Sequence, residues 1–221
     1  MSNEVVIFGT AGLSSLAWYA LTHDSAFTPV AFTVDAGYLR EPMHEGLPVI
    51  AFEQLPSHYA PAATALLVPL GYRQINGLRR ARYEQAKARG YRAIRYVSSR
   101  ALTWPDLQVG ENTLIYEGTI VQPFSSIGAN VIIRSGVHIS HHCTIADHAF
   151  VAAGATLGGH VRVGAQAFIG LGAVLRDGIR IAERSFIGAG TVIIADTAPD
   201  GVYVGNPARR LDKSALEVTG G

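Results

Sequence analysis

The chain has 221 residues, 48% of them hydrophobic and 16% charged, which is enough apolar mass for one large domain or two small ones and too much for a disordered tail. Eighteen Lys and Arg against 17 Asp and Glu leave a formal charge of +1, so there is no electrostatic footprint for nucleic acid or for an anionic membrane surface. The single cysteine, Cys143, excludes an intramolecular disulfide and a multi-cysteine zinc site and fits a reducing cytoplasm.

Val5 to Phe8 reads as a short apolar strand, too brief for a signal h-region or a bilayer span, so neither export nor membrane insertion is expected. It runs into Gly9-Thr10-Ala11-Gly12 and a helix-compatible stretch from Leu13 to Leu21, the pattern of strand, turn and helix. Pro29 to Val34 supplies a second strand ending at Asp35. Ala65 to Pro69 makes a third, a polar helix covers Asn76 to Arg89, and Ala93 to Val97 makes a fourth strand. The alternation predicts a small parallel α/β sheet, with a Rossmann-like domain over residues 1–103. A glycine turn entering a helix, with an acidic residue closing the next strand, suits a nucleotide: amides bind phosphate and the carboxylate meets a ribose or base donor. No third glycine completes G-x-G-x-x-G, and a structural strand-to-helix corner accounts for the turn equally well.

From Val109 onward the period changes to six. Every sixth residue from Val109 to Ile193, fifteen in all, is Val, Ile or Leu, and four residues after each stands a small or β-branched side chain, from Thr113 to Thr197. Six fits neither a helix nor simple strand alternation, but it suits a short strand plus a tight turn, three of which close a triangular coil of eighteen residues. The aliphatic side chain then points inward, the small one fits near the corner, and each coil buries its apolar row on the next. Segments such as Gly170-Leu171-Gly172 and Gly188-Ala189-Gly190 supply turns with positive φ. The expected architecture over residues 104–221 is a parallel β-helix with a C-terminal loop and tail.

This register resembles the hexapeptide-repeat acyltransferases, and the resemblance implies a left-handed coil and a homotrimer. Gly205-Asn206-Pro207-Ala208-Arg209 is similar to the Gly-Asn-Pro-Ala-Arg/Lys ending of the acetyltransferase branch, whose loop closes over coenzyme A; this implicates Pro207 and Ala208. The two halves together resemble the sialic-acid O-acetyltransferase and nucleotide-linked aminosugar N-acetyltransferase group. Gly46-Leu47-Pro48-Val49 is similar to its Gly-x-Pro-Val element, and Gly71 with Asn76, Arg79 and Arg80 is similar to its Gly-Asn and Arg stretch. In that group the first module binds the nucleotide half of the substrate, which implicates Ala11, Gly12, Leu13 and Asp35. Gly12-Leu13-Ser14 departs from the Gly-His-Gly usual there.

Acetyl transfer needs a base, an oxyanion donor and alignment of two large substrates. Five of the eight histidines, His138, His141, His142, His148 and His160, fall in the repeat. His141 and His142 occupy a corner, and His160 follows His142 by one coil. Ser140-His141-His142-Cys143-Thr144-Ile145 resembles the His-Glu/Asp-Cys-x-Ile motif of aminosugar acetyltransferases, which implies His141 as base. His142 replaces the acidic residue and is assigned a supporting or structural role. Phe150 stands where many relatives carry a second histidine, and either packs on the pantetheine arm or serves as a trimer-interface aromatic. The resemblance also places acetyl-CoA at Gly159, Leu171, Gly188 and Ala189, with the Gly159 amide as oxyanion donor. Cys143, in an inward position, is expected to be an inert core thiol.

The expected reaction is direct transfer from acetyl-CoA to the amine of a nucleotide-linked 4-aminosugar, for surface polysaccharide or lipopolysaccharide, with no metal. Three other readings compete: O-acetylation of a sialic acid or polysaccharide sugar, a non-catalytic nucleotide-sugar-binding trimer, and a γ-type carbonic anhydrase. The last needs a zinc ligand five residues before His141, where Gly136 stands.

Overall fold

A computed structural model describes residues 3–220. The first part is a six-stranded sheet with helices on both faces. In chain order its elements are β1 (Glu4–Phe8), α1 (Gly12–Asp24), β2 (Thr28–Val34), β3 (Met43–His44), β4 (Leu47–Ala51), α2 (Leu55–His58), β5 (Ala65–Leu67), α3 (Gly77–Ala88) and β6 (Arg92–Ala93). The strand order is β3-β4-β2-β1-β5-β6, parallel except for the two-residue edge strand β3. The chain moves outward from β1 through β2 to β4 and then returns across β1 to β5, so the topology reverses between β1 and β5. Ala17 and Leu21 of α1 cover one face together with Val5 and Ile7. Leu55, Tyr83 and Ala86, from α2 and α3, cover the other with Val6 and Phe8.

The structure adds one strand and divides another. Leu47–Ala51, which the sequence pattern alone leaves unassigned, is a full strand in register with Phe32–Val34. The expected strand Ala93 to Val97 is two: Arg92–Ala93 closes the sheet beside β5, while Tyr96–Val97, which is β7, pairs in parallel with Leu114–Ile115. The chain thus leaves one sheet and enters the next within a few residues.

Beyond β7, fifteen two-residue strands follow at steps of six, from Gln108–Val109 to Val192–Ile193. Along each face, every strand but the last of the column pairs with the strand eighteen residues on, as in Ile132↔Phe150↔Phe168↔Phe186, so three parallel sheets enclose a prism. The repeat aliphatics and the small residues, including Cys143, form one continuous interior at 0–3% exposure. Small side chains are needed because the prism narrows toward its corners.

Each corner has its own chemistry, and each turns through positive φ. Gly118, Gly136, Gly154, Gly172 and Gly190 make the first, Phe124, His142, His160 and Gly178 the second, and Asn112, Asn130, His148, Gln166 and Arg184 the third. Left-handed backbone costs most side chains about 1–2 kcal/mol but is tolerated best by Gly, Asn and His.

One prism face is apolar outside as well as inside. Leu114, Ile132, Phe150 and Phe168 alternate outward and are buried under the first sheet's helix side. The seam is closed by polar groups at the third corner. Arg79, fully buried, donates to the carbonyls of Leu70, Gly71, Asn130, His148 and Ala149 and to Asn76 Oδ1. Burial lowers its pKa to about 9, so the guanidinium stays charged at neutral pH. Asn76 Nδ2 donates to Gln166 O at 2.8 Å. Gly201–Val204 and Arg209–Ser214 finish the apolar sheet as an antiparallel pair, and α4 (Ala215–Thr219) folds back so that Thr219 Oγ1 accepts from the amide of Ile75 at 2.8 Å.

Candidate active site

The second corner carries the only close imidazole group among the described residues. His141 Nδ1 lies 3.0 Å from His142 Nδ1. The His142 ring stacks on His160 at 4.7 Å and 17°, and on its other side meets Phe124 at 4.7 Å. All three histidines are exposed. Their ligand atoms fall within 4.8 Å of one another, but the parallel rings of His142 and His160 send their in-plane lone pairs side by side, and a tetrahedral metal needs them to converge. His141 rests against Gly159: a Cβ there would stand 2.7 Å from Cε1 and 2.9 Å from Nε2 of the ring. Cys143 is 1% exposed and directs its Sγ to Gly158 O at 3.1 Å, and burial raises its thiol pKa. It is a neutral core thiol, as its place in the repeat predicts.

The Gly159 amide, expected as an oxyanion donor, is already bonded to Asp177 Oδ1 at 2.7 Å. The same device recurs where Ala129 N donates to Asp147 Oδ1 at 2.8 Å, so it is a way of closing a corner on the coil above. Gly159 therefore makes room for the His141 ring and supplies no free donor. Phe150 lies on the apolar face at 5% exposure, against Tyr72, Phe168 and the Arg79 guanidinium. It belongs to the seam and lines no open groove. Gly188 is buried under Val204, whose Cγ1 would lie 2.9 Å from a Cβ.

Leu171 and Ala189 are exposed, eighteen residues apart on the first corner. The sheet that carries His138, Thr156, Val174 and Val192 separates that column from the histidine corner. Within one chain they do not meet His141. Pro207 is exposed, and Ala208 is tied to the last coil through its amide to Val192 O at 3.0 Å.

A second site lies where the first sheet reverses direction. A cavity of about 290 Å³ is lined by Gly9, Thr10, Ala11, Asp35, Tyr38, Arg73, Gln74 and Arg82, among others. Gly9 has φ +95°, and a Cβ there would strike Ser14 Oγ at 2.6 Å, so the turn after β1 admits only glycine. α1 begins at Gly12, and its N-cap Ala11 offers no side-chain acceptor to the first-turn amides. Of the expected substrate contacts, Ala11 and Asp35 line the cavity. Gly12 faces open space, and Leu13 packs into the core below. Asp35 is bound by Arg82 at 2.7 Å.

Arg73, Gln74, Tyr38 and Arg82 are lining groups that sequence reasoning missed. Gln74, Ile75 and Asn76 are all left-handed, at φ +55°, +44° and +66°, and the Ile75 amide donates to Thr219 Oγ1. Of the resembling stretch Asn76, Arg79 and Arg80, the first two serve the seam, and Arg80 bonds Glu84 and Gln166 Oε1.

Stacked six-residue coils with an imidazole pair on an open corner have the build of a hexapeptide-repeat acyltransferase. The family model described as bacterial transferase hexapeptide (six repeats) matches residues 106–141 and 124–159, so the prism carries that family's repeat, and the chain as a whole is similar to solved sugar acetyltransferases. No curated protein matches the sequence significantly. Among solved structures, a mutant of perosamine N-acetyltransferase from Caulobacter crescentus, in complex with CoA and GDP-perosamine, is 26% identical. It covers 95% of this chain and 97% of its own, with a TM-score of 0.87. The acetyltransferase domain of PglB from Neisseria gonorrhoeae FA1090, in complex with acetyl coenzyme A, is 24% identical over 96% of this chain and 100% of that one, with a TM-score of 0.83. WeeI from Acinetobacter baumannii AYE is 21% identical over 94% and 99%, with a TM-score of 0.79. The last two are likenesses of fold. Among the described residues no helix is long and apolar enough to cross a membrane.

Proposed function

We propose that the chain transfers an acetyl group from acetyl-CoA to the amine of a nucleotide-linked aminosugar, with His141 as general base. The observation that carries this is the His141–His142 contact at 3.0 Å: an imidazole that donates from Nδ1 keeps the Nε2 lone pair for a substrate proton. Likeness to an enzyme holding CoA and GDP-perosamine supports both substrates. The sugar amine attacks the thioester carbon, His141 Nε2 takes the ammonium proton, and the C–S bond breaks as the tetrahedral intermediate collapses. The proton then passes to the departing thiolate, which leaves as coenzyme A.

In this reading residues 1–103 form a Rossmann-like domain that holds the nucleotide in the cavity beside Ala11 and Asp35. Residues 104–221 form the left-handed β-helix that carries the chemistry. A homotrimer completes the site. Leu102, Phe124, Leu171 and Val174, each 41–73% exposed, lie on one prism sheet and its two bordering corners, and an exposed apolar surface of this kind calls for a partner. Packing that sheet against a second copy brings Leu171 and Ala189 of one chain toward His141 of another, which their separation within a chain requires. Pro207 and Ala208 border the same groove, in a cytoplasmic enzyme of surface-glycan or lipopolysaccharide synthesis. An imidazole beside the base, where a carboxylate would favour alcohol deprotonation, supports N- over O-acetylation.

The test is thiol release from acetyl-CoA with UDP-, dTDP- and GDP-linked 4-aminosugars. At least one should be acetylated on nitrogen. His141→Ala should abolish turnover while CoA binding and the trimer persist; near-normal turnover in that variant removes the base assignment.

A further inference from the structure

The motif that Ser140–Ile145 resembles has an acidic residue after its histidine, and this chain has His142 at that position. We propose that His142 positions His141 by accepting a hydrogen bond from its Nδ1–H, and that Phe124 and His160 hold His142 in place as an aromatic column. The proposal rests on the assignment of His141 as base. A neutral imidazole has one donor and one acceptor nitrogen. With 3.0 Å between the two Nδ1 atoms, one proton lies between them. If His142 accepts it, the lone pair of His141 is on Nε2, the nitrogen next to Gly159 and the open corner. If His141 accepts it, Nε2 carries the proton and no base exists.

The column explains why His142 can do this from an exposed position. Phe124, His142 and His160 are eighteen residues apart at one corner, with φ of +64°, +60° and +60°, so the backbone aims their rings along the prism edge. The Phe124 and His160 rings flank His142, each at 4.7 Å. His141 stands edge-on to both histidines, at 5.2 Å and 85–87°, which leaves its Nδ1 facing His142. The Gly159 site prevents the ring from being pushed off. A neutral acceptor fixes the tautomer without balancing the charge of the imidazolium formed during transfer.

The test uses the whole protein with ¹⁵N-labelled histidine at pH 8. His141 signals are identified by their loss in His141→Asn. Wild type should show His141 protonated on Nδ1. His142→Phe, which the corner accepts because Phe124 has the same backbone one coil earlier, should move the proton to Nε2. His142→Asp should return it to Nδ1. With a nucleotide-aminosugar that is turned over, His142→Phe should lower kcat about tenfold with KM within twofold, and His142→Asp should recover at least half of the wild-type kcat. A wild-type His141 protonated on Nε2, an unchanged tautomer in His142→Phe, or a kcat within twofold in that variant overturns the proposal. If no sugar is acetylated, the function proposed above fails, and the tautomer measurement still decides the role of His142.

Discussion

The prism bears histidines at two of its corners, and they do opposite things on the same backbone. His148 at the third corner and His142 at the second have φ of +65° and +60° and stand in equivalent turns. His148 is half-buried at the seam: its Nδ1 is bonded to Asn130 Nδ2 at 2.8 Å, and its carbonyl accepts from Arg79. His142 is exposed and bonded to another imidazole. Left-handed corners select Asn, Gly and His for backbone reasons, so a histidine there is no sign of catalysis by itself. What separates the two is what packs over them, a helix and a buried arginine in one case and the exposed rings of Phe124 and His160 in the other.

The sharpest way to break that comparison is to remove one histidine from each corner. His141→Asn should lower kcat by about 10²–10⁴-fold, the usual contribution of a general base. His148→Asn, at a corner that already accepts Asn130, should leave kcat within about twofold. Steady-state thiol release measures both, and a comparable loss in the two variants would erase the distinction drawn here.

The seam is next in size. Arg79→Leu takes the guanidinium donor from the carbonyls of Leu70, Gly71, Asn130 and His148; Ala149 O keeps the Ile132 amide. Orphaning buried acceptors costs about 1–3 kcal/mol each before relaxation and water entry. A net loss of about 3 kcal/mol lowers Tm by roughly 10 °C in a chain of this size. Calorimetry should show that loss, or a split transition as the first sheet melts apart from the prism. A Tm within about 2 °C of wild type would mean that the apolar contacts alone hold the two together.

Much of this was legible because the prism writes its geometry into the sequence at fixed intervals. The sixfold aliphatic row sets the interior, and the apolar set Leu114, Ile132, Phe150 and Phe168, one residue earlier at every third step, marks the face that is covered. That second signal explains Phe150 without a ligand. Asp147 and Asp177, each eighteen residues after the amide it accepts from, identify corner closure in the same way and would have removed Gly159 as an oxyanion donor. The first sheet repeats nothing. Its pocket depends on Gln74, Ile75 and Asn76 turning left-handed, and the partner that holds Ile75 is Thr219, 144 residues away. No local propensity announces that, and Arg79 reads as a surface helix residue until the prism is placed beside it.

Gly159→Ala probes the histidine corner gently. Gly159 does not have positive φ, so alanine is allowed by the backbone, and the obstacle is the His141 ring at 2.7–2.9 Å. A ring on an exposed side chain can swing aside, so stability should stay within about 1 kcal/mol. The ring proposed as base, however, moves by a sizeable fraction of an ångström, and misplacement by 1 Å can cost about 100-fold. A kcat drop of about tenfold with an unchanged Tm is expected. Full activity would place the catalytic ring elsewhere.

The smallest effect concerns pH and returns to His148. Burial holds its pKa below the ordinary histidine range; Asp147 and Glu84 oppose the shift, while Arg80 and Arg79 add to it. The folded chain therefore binds this proton more weakly than the unfolded chain, whose histidine titrates near about 6.5. Above that pH neither state is protonated and His148 has no effect on the balance. As pH falls through about 6.5 the unfolded state takes up the proton first, and stability declines until the folded pKa is reached. His148→Gln, a residue the corner already accepts at Gln166, removes this contribution and leaves every carboxylate titration in place. Urea midpoints at pH 7.5 and 5.5 should fall further for wild type than for the variant. An equal fall in both would mean that burial does not hold the His148 proton affinity below that of the unfolded chain.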